Sequence, residues 1–368
     1  MNLKDIKMKN VLYYMQSFVI TAKDKSFEVP RSMILTVEVS KDYETMLYPL
    51  WYVCVNVPLW FYSQITKNPN DISVSMNLQY RLASNNEQLI SGTNLLTTEV
   101  AGKFKAVIPH TTQIGDHSIQ KNVEKQEGAH NKNYTYSEYA IVELSLYNSA
   151  AYAASFNKLN AVLSSTNLTN ALTYCLNRCG INNVLLSKSD NSKTYSEFKI
   201  WPHSGMSNIL RIVEDYKFHN SGSTIFFDLT DAYIISRKIG CNAWRSNEYK
   251  DTYILSLSET DPTLGSGSGI FMSSKDKYNA LIIRNSAFST QDVSSSPVLK
   301  NSNETEIFQF VTKDAIMRAI TPNKEFVVSI DSPDHQKYNG KYRLYSMSVN
   351  MVPMGEFLEP QFMVTLRR

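Results

Sequence analysis

The 368-residue chain predicts a mainly β protein with inserted helices, and three observations carry that reading. From Ser73 to Leu82, Val74, Met76, Leu78, Tyr80 and Leu82 alternate with Ser73, Ser75, Asn77, Gln79 and Arg81. Period two over ten residues is the mark of a strand with one buried and one wet face. Twenty-two Tyr against only 13 Gly and 12 Pro favour extended strands over a turn-dense repeat. Against that background one segment has a clear helical stripe: Leu168, Ala171, Leu172, Cys175, Leu176 and Cys179. With 43% hydrophobic and 19% charged residues the chain can bury a core, which excludes a disordered or low-complexity polymer. Its length suggests about two or three domains.

Taken in order, Lys4, Lys7 and Lys9 precede an apolar stretch in the manner of a secretion signal. Val11 to Ile20 contains Gln16, Ser17 and two tyrosines, however, and no small-residue cleavage site follows, so the stretch reads as a first strand. Residues 10 to 110 continue as successive strands, with short alternating runs at Ser17 to Thr21, Met33 to Val39 and Lys103 to Ile108. The uncharged run Met46 to Tyr62 holds Pro49, Asn56 and Pro58 and is too short for a membrane span, so none is expected. Gln113 to Tyr134 is polar and without period, a long loop.

Tyr139 to Tyr147 reads as a strand leading into an Ala-rich stretch, Ser149 to Leu163, with helical character. The striped helix follows, capped by Ser165 or Thr166 and stopped by Gly180. A second helix is expected from Ser207 to Lys217, with Ile209, Leu210, Val213 and Tyr216 inward. Thr224 to Asp228 and Ala232 to Ser236 form a hairpin. Thr260 to Lys277 and Ser286 to Asn303 read as Ser-, Gly- and Asn-rich loops. Strands at Ile307 to Val311, Phe326 to Ile330, Lys341 to Met351 and Gln361 to Arg367 close the chain, and no fixed-period repeat is present.

Chemistry is sparse. Thirty-seven Lys and Arg against 34 Asp and Glu leave +3, too even for a nucleic-acid stripe. Gly265, Gly267 and Gly269 imitate a phosphate loop, but Ile270 and Phe271 stand where the Lys and Ser/Thr of that loop belong. The six histidines (His110, His117, His130, His203, His219 and His335) show no metal spacing. Cys175 and Cys179 share a helical face, and Cys54 and Cys241 have no sequence partner, so four reduced thiols are expected. Asp228 and Asp231 flank the hairpin turn, where turn chemistry outweighs Ca²⁺ binding. Trp51, Trp60, Trp201 and Trp244 are read as core or interface anchors before sugar platforms. No Gly-x-Ser-x-Gly elbow occurs; a two-carboxylate hydrolase leaves no sequence motif. The sequence therefore assigns no catalytic, cofactor-binding or metal residue.

Two stretches carry a family resemblance. Trp201-Pro202-His203, a helix ending in Tyr216, a Ser-Gly turn, and Thr224 to Asp228 with Tyr233-Ile234-Ile235 resemble the middle of baseplate central hub proteins of contractile-tailed bacteriophages. Tyr338 to Leu344, Gly355 and the Phe362 to Arg367 strand resemble the closing strands of the same family, which is related to the hub domains of type VI secretion spikes. The resemblance implies two tail-tube-like β-barrels per chain and a homotrimeric, pseudo-sixfold ring. Its partners would be the tail tube protein, the central spike protein and surrounding wedge proteins, in a virion baseplate assembled in the host cytoplasm. The expected partition is 1–110 with 196–240 as the first barrel, 111–195 as an inserted α/β domain, and 241–368 as the second barrel with a loop-rich insertion near 256–305. The function expected is structural, without reaction or cofactor. A phage cell-wall hydrolase and a receptor- or carbohydrate-binding tail protein are the alternatives.

Overall fold

The computed structural model describes residues 9–84, 96–109, 139–182, 184–185, 193–216, 223–236, 252–257, 270–272, 281–283, 287–292, 306–313, 315–322, 325–330 and 340–367. The chain opens with β1 (Lys9–Ala22), β2 (Lys25–Glu28), β3 (Ile34–Asp42) and β4 (Leu50–Pro58), then helix α1 (Leu59–Lys67), β5 (Ile72–Ser84), β6 (Thr97–Val107) and β7 (Tyr139–Tyr147). Next come α2 (Ser149–Ala154), β8 (Lys158–Thr166), α3 (Leu168–Arg178), β9 (Val184–Leu185), β10 (Tyr195–Ser204), α4 (Gly205–Asp215), β11 (Ser223–Phe227) and β12 (Ala232–Ser236). The remainder is β13 (Thr252–Leu257), β14 (Ile270–Met272), β15 (Leu281–Ile283), β16 (Ala287–Asp292), β17 (Glu306–Thr312), β18 (Glu325–Ile330), β19 (Gly340–Met354) and β20 (Phe357–Arg367).

Eight strands close on themselves in the order β19, β3, β4, β7, β6, β5, β1, β20, and β20 returns to β19. A barrel of that size is just wide enough for side chains to fill. Here Tyr13, Phe18, Trp51, Phe104, Met347 and Phe362 fill it, all within one hydrophobic cluster. The alternation read at Ser73 to Leu82 is the β5 wall, with Val74, Met76 and Leu78 buried. The closing seam is the hairpin β19–β20, whose two-residue loop starts at Gly355 with φ +63°, a position a type II′ turn reserves for glycine.

The same hairpin belongs to a second sheet. β18 pairs with the start of β19, β13 with β18, and β15 and β14 follow; on the other side β17 pairs with the end of β20 and β16 with β17. These are again eight strands, β14-β15-β13-β18-β19-β20-β17-β16, with β14 and β16 as the outer members among the described pairings.

A separate cluster forms the inserted unit, where α3 and α4 pack on the ribbon β8–β10 and on β11–β12. Asn167 caps α3 by accepting from Asn170 N, one residue beyond the expected Ser165 or Thr166. Gly180, at φ +75°, ends it in a Schellman motif, with Ile181 N donating to Leu176 O and Gly180 N to Asn177 O. Phe226, Tyr233 and Ile235 turn to the barrel cluster, while Ile225, Phe227, Ala232 and Ile234 turn to the inserted one. The continuous apolar runs in this hairpin are those of strands buried on both faces.

Several expectations are corrected. The Ala-rich stretch is helical only to Ala154; β8 then runs from Lys158 because Leu159, Ala161 and Leu163 recur at period two toward the insert core. In α4, Ile212 takes the inward position and Leu210 is exposed, since 209, 212, 213 and 216 share one face. β14, Ile-Phe-Met, lies within the expected Thr260 to Lys277 loop, and β16 lies within Ser286 to Asn303 because backbone pairing admits its Ser, Thr and Gln. β7 joins the barrel, β10 pairs with β8 inside the insert, and β19–β20 serves the barrel as well as the second sheet. Closing the barrel requires partners for the free edges of β1 and β3, and the last hairpin supplies both.

Candidate functional site

The barrel strands β3, β4 and β6, the β11–β12 turn and the short 3-10 turn Met317–Ala319 converge on a cavity of about 30 Å³. Lys41, Trp51, Glu99, Asp228, Asp231, Tyr233 and Arg318 line it. Lys41 sits in the inward row of β3 after Val37 and Val39, a charge where the pattern calls for an apolar side chain. Burying such a charge is costly unless it is paired. Its partner is the Asp228 carboxylate, and Lys41 is only 5% exposed.

The hairpin geometry explains how Asp228 arrives there. Asp228 N donates to Asp231 O at 2.7 Å, closing the turn, and Thr230 Oγ1 donates to Asp231 Oδ2 at 3.1 Å. Asn148 Nδ2 fastens the turn from outside through Asp228 O at 3.3 Å and Leu229 O at 3.0 Å, while its Oδ1 caps α2 by accepting from Ala151 N. Asp228 Oδ1 accepts from Leu229 N at 2.8 Å and from Trp51 Nε1 at 3.3 Å, leaving Oδ2 to Lys41. The turn role expected of both aspartates is present, but Asp228 also carries the link to the barrel, and the Lys41 ammonium stands where a cation would.

Glu99 completes the junction. Its Oε1 accepts from Arg318 N at 2.6 Å, and its Oε2 is buried without a hydrogen-bond partner. Burial, reinforced by the neighbouring Asp228 charge, pushes the carboxyl up to about 7, against the Arg318 N–H bond and the Lys41 and Arg318 charges. Burial likewise raises Tyr233, and Asp228 and Asp231 add to it. Tyr13 ties the 3-10 turn to β1: its hydroxyl accepts from Met317 N at 3.0 Å.

Lys41 and Glu99 were not singled out by the sequence. The only signal for Lys41 is its place in the Val37-Val39-Lys41 row; Glu99 lacks even that, because a register shift at Leu78/Gln79 interrupts the β5–β6 pairing beside it. Of the tryptophans, Trp51 is fully buried and belongs to the junction. Other expected residues lie apart: Trp60 and Trp201 are exposed, with His203 stacked on Trp201. Cys54, Cys175 and Cys179 are buried and unbridged, and burial lifts the Cys175 thiol to about 12. Gly265, Gly267, Gly269, Cys241, Trp244, the other five histidines and the Gln113 to Tyr134 loop lie outside the described residues. Among the described residues no cluster of three or more His, Cys, Asp or Glu has metal-binding geometry, and no helix is long and apolar enough to cross a membrane.

A protein-family model described as the bacteriophage PBS1 gene 109 protein matches residues 3–242. No curated protein matches the sequence. Among solved structures, the chain is similar to the 43 kDa tail protein of prophage MuSo2 from Shewanella oneidensis, at 9% identity and a TM-score of 0.42 over 95% of this chain and 97% of that one. It is also similar to an E. coli component of the type VI secretion system described as resembling the T4 bacteriophage tail proteins gp27 and gp5, at 10% identity and TM-score 0.43 over 96% and 76%. A tail protein from Neisseria meningitidis MC58 aligns at 9% identity and TM-score 0.40 over 97% and 96%.

Proposed function

The chain belongs to the bacteriophage PBS1 gene 109 protein family, and from that membership we propose that it is a structural tail protein, the central hub of a phage baseplate. The observation that carries this reading is the pair of eight-stranded sheets joined through one hairpin, one closed and one extended. Two such units per chain, in a trimer, would offer six-fold-like binding positions to a tail tube on one side and three-fold positions to a spike on the other. A ring of three identical chains requires a heterologous contact, so one surface of each subunit meets a different surface of its neighbour. Edge strands such as β14 and β16 suit that use, because an open edge is otherwise a template for aggregation. Surrounding wedge proteins would contact the outside of the ring, and the assembly site would be the host cytoplasm. The role is mechanical support and symmetry matching, without a reaction.

Light scattering of the purified chain at micromolar concentration tests the reading. The expected mass is three times the 41.9 kDa chain, with a pseudo-sixfold ring in electron-microscopic class averages and an obligate interface above about 2,000 Å². A chain that stays monomeric in the presence of its tube and spike proteins defeats the hub. Clearing of cell-wall substrate in a zymogram would replace it with a hydrolase, and retention on a glycan surface with a receptor-binding protein.

A further inference from the structure

We propose that Lys41 and Asp228 condense into an intramolecular amide, a covalent bond between the barrel strand β3 and the β11–β12 turn of the insert, with Glu99 as the proton carrier. The two side chains are held as an ion pair in which Lys41 is buried and Asp228 largely so. Neighbouring groups are set for acyl transfer. Asp228 Oδ1 takes two hydrogen bonds, from Leu229 N at 2.8 Å and Trp51 Nε1 at 3.3 Å. Donors so placed polarise the carboxyl carbon and would stabilise the oxyanion of a tetrahedral intermediate. Oδ2, which faces Lys41 Nζ, is the oxygen free to leave.

The step balances without a co-reactant. Lys41 gives a proton to Glu99, which lines the same cavity and whose Oε2 is buried without a hydrogen-bond partner. The neutral amine attacks Asp228 Cγ, the Cγ–Nζ bond forms, and the Cγ–Oδ2 bond breaks as Oδ2 departs with protons relayed by Glu99. Of the three original ammonium protons, one remains on the amide nitrogen and two leave in the water formed. Glu99 ends as it began. Burial, which lifts its carboxyl to about 7, gives it the affinity to accept a proton and the readiness to return it near neutral pH. The 30 Å³ cavity beside the three groups is large enough for the water released.

Two forces favour condensation here over the ordinary preference of amides to hydrolyse. Fixing amine and carboxyl in contact supplies a very high effective concentration. An amide also removes two charges that are costly to hold out of water. The other charged and titratable groups facing the pair are Asp231 and Tyr233 from the hairpin, Arg318 from the 3-10 turn, and Tyr43 following β3.

The intact mass of the full-length purified protein, measured under denaturing conditions, tests the proposal. The expected mass is that of the sequence less one water, and a protease digest should contain a branched peptide joining Lys41 to residue 228. Lys41→Arg and Glu99→Gln should keep the full sequence mass. Asp228→Asn should lose ammonia instead of water and so converge on the same final mass as the wild type. A folded wild-type chain of full sequence mass overturns the proposal, and so does a water loss that persists in K41R or maps to another residue.

Discussion

The closed barrel draws its strands from residues 9–147 and 340–367, whereas the core of the inserted unit comes mainly from one run, residues 151–234. The barrel cannot complete its ring until the last hairpin arrives, while the insert needs only near neighbours in sequence. Non-local pairing is paid for in loop entropy before it is rewarded, so the two cores face different folding problems within one chain. They also meet in one place, the β11–β12 hairpin, where successive side chains serve opposite cores. Proximity in sequence therefore says little about which core a residue supports.

The sharpest way to break that contrast is to truncate Phe226 and Phe227 separately. Both are fully buried, adjacent in sequence and committed to different clusters. Each Phe→Ala change should cost about 3–5 kcal/mol. Hydrogen exchange should show Phe226→Ala exposing barrel strands and Phe227→Ala exposing α3 and α4. Identical exchange patterns would mean the two cores are one.

Glu99 gives the next largest effect and belongs to the barrel side. Its folded value of about 7 lies above the ordinary 4.5. The group therefore does no harm below about pH 4.5, and stability falls as pH rises from there through 7. Beyond that the loss is constant, at roughly 3 kcal/mol. Denaturant titrations from pH 4 to 8 should show this slope in the wild type and its absence in Glu99→Gln. Parallel curves would remove Glu99 from the junction.

A smaller effect tests the insert alone. A Cβ at Gly205 would overlap Cys179 Sγ, so either the Cys179 side chain or α4 must shift in Gly205→Ala. Overpacking of this kind costs about 1–3 kcal/mol, and the loss of exchange protection should stay within 149–236. The smallest test is Asn167→Ala, which removes the α3 cap to Asn170 N and should cost about 1 kcal/mol in chemical denaturation. An unchanged midpoint would show that the cap is replaced by solvent.

Much of the architecture was legible in the sequence wherever one face of an element is wet. The β5 alternation, the α3 stripe and its Gly180 stop are patterns written by a single boundary between core and water. The pattern fails where a segment meets two cores or none. β8 follows the Ala-rich helix α2 after only three residues and so reads as its continuation, and it is its partner β10 that decides. Polar β16 is held by its backbone, so its side chains report nothing. The junction was half visible: Asp228 stood out as a turn residue, but Lys41 and Trp51 reach it from the paired strands β3 and β4 and Glu99 from β6, all far from the turn in sequence, and only the fold brings them together. The double role of the last hairpin was hidden for the same reason, since its two sets of neighbours come from distant parts of the sequence.

That shared hairpin also decides how the molecule would bear a pull. β19 runs unbroken from its pairing with β18 at residues 340–343 to its pairing with β3 at 346–351, and β20 lies alongside it from Phe357 to Arg367. Tension applied to one sheet enters the other along a covalent backbone. The rungs between the two strands then lie across the direction of load and must yield together in shear, rather than one after another as in unzipping. A soft packing interface would let the two sheets slip; a common pair of strands makes them a single stiff strut.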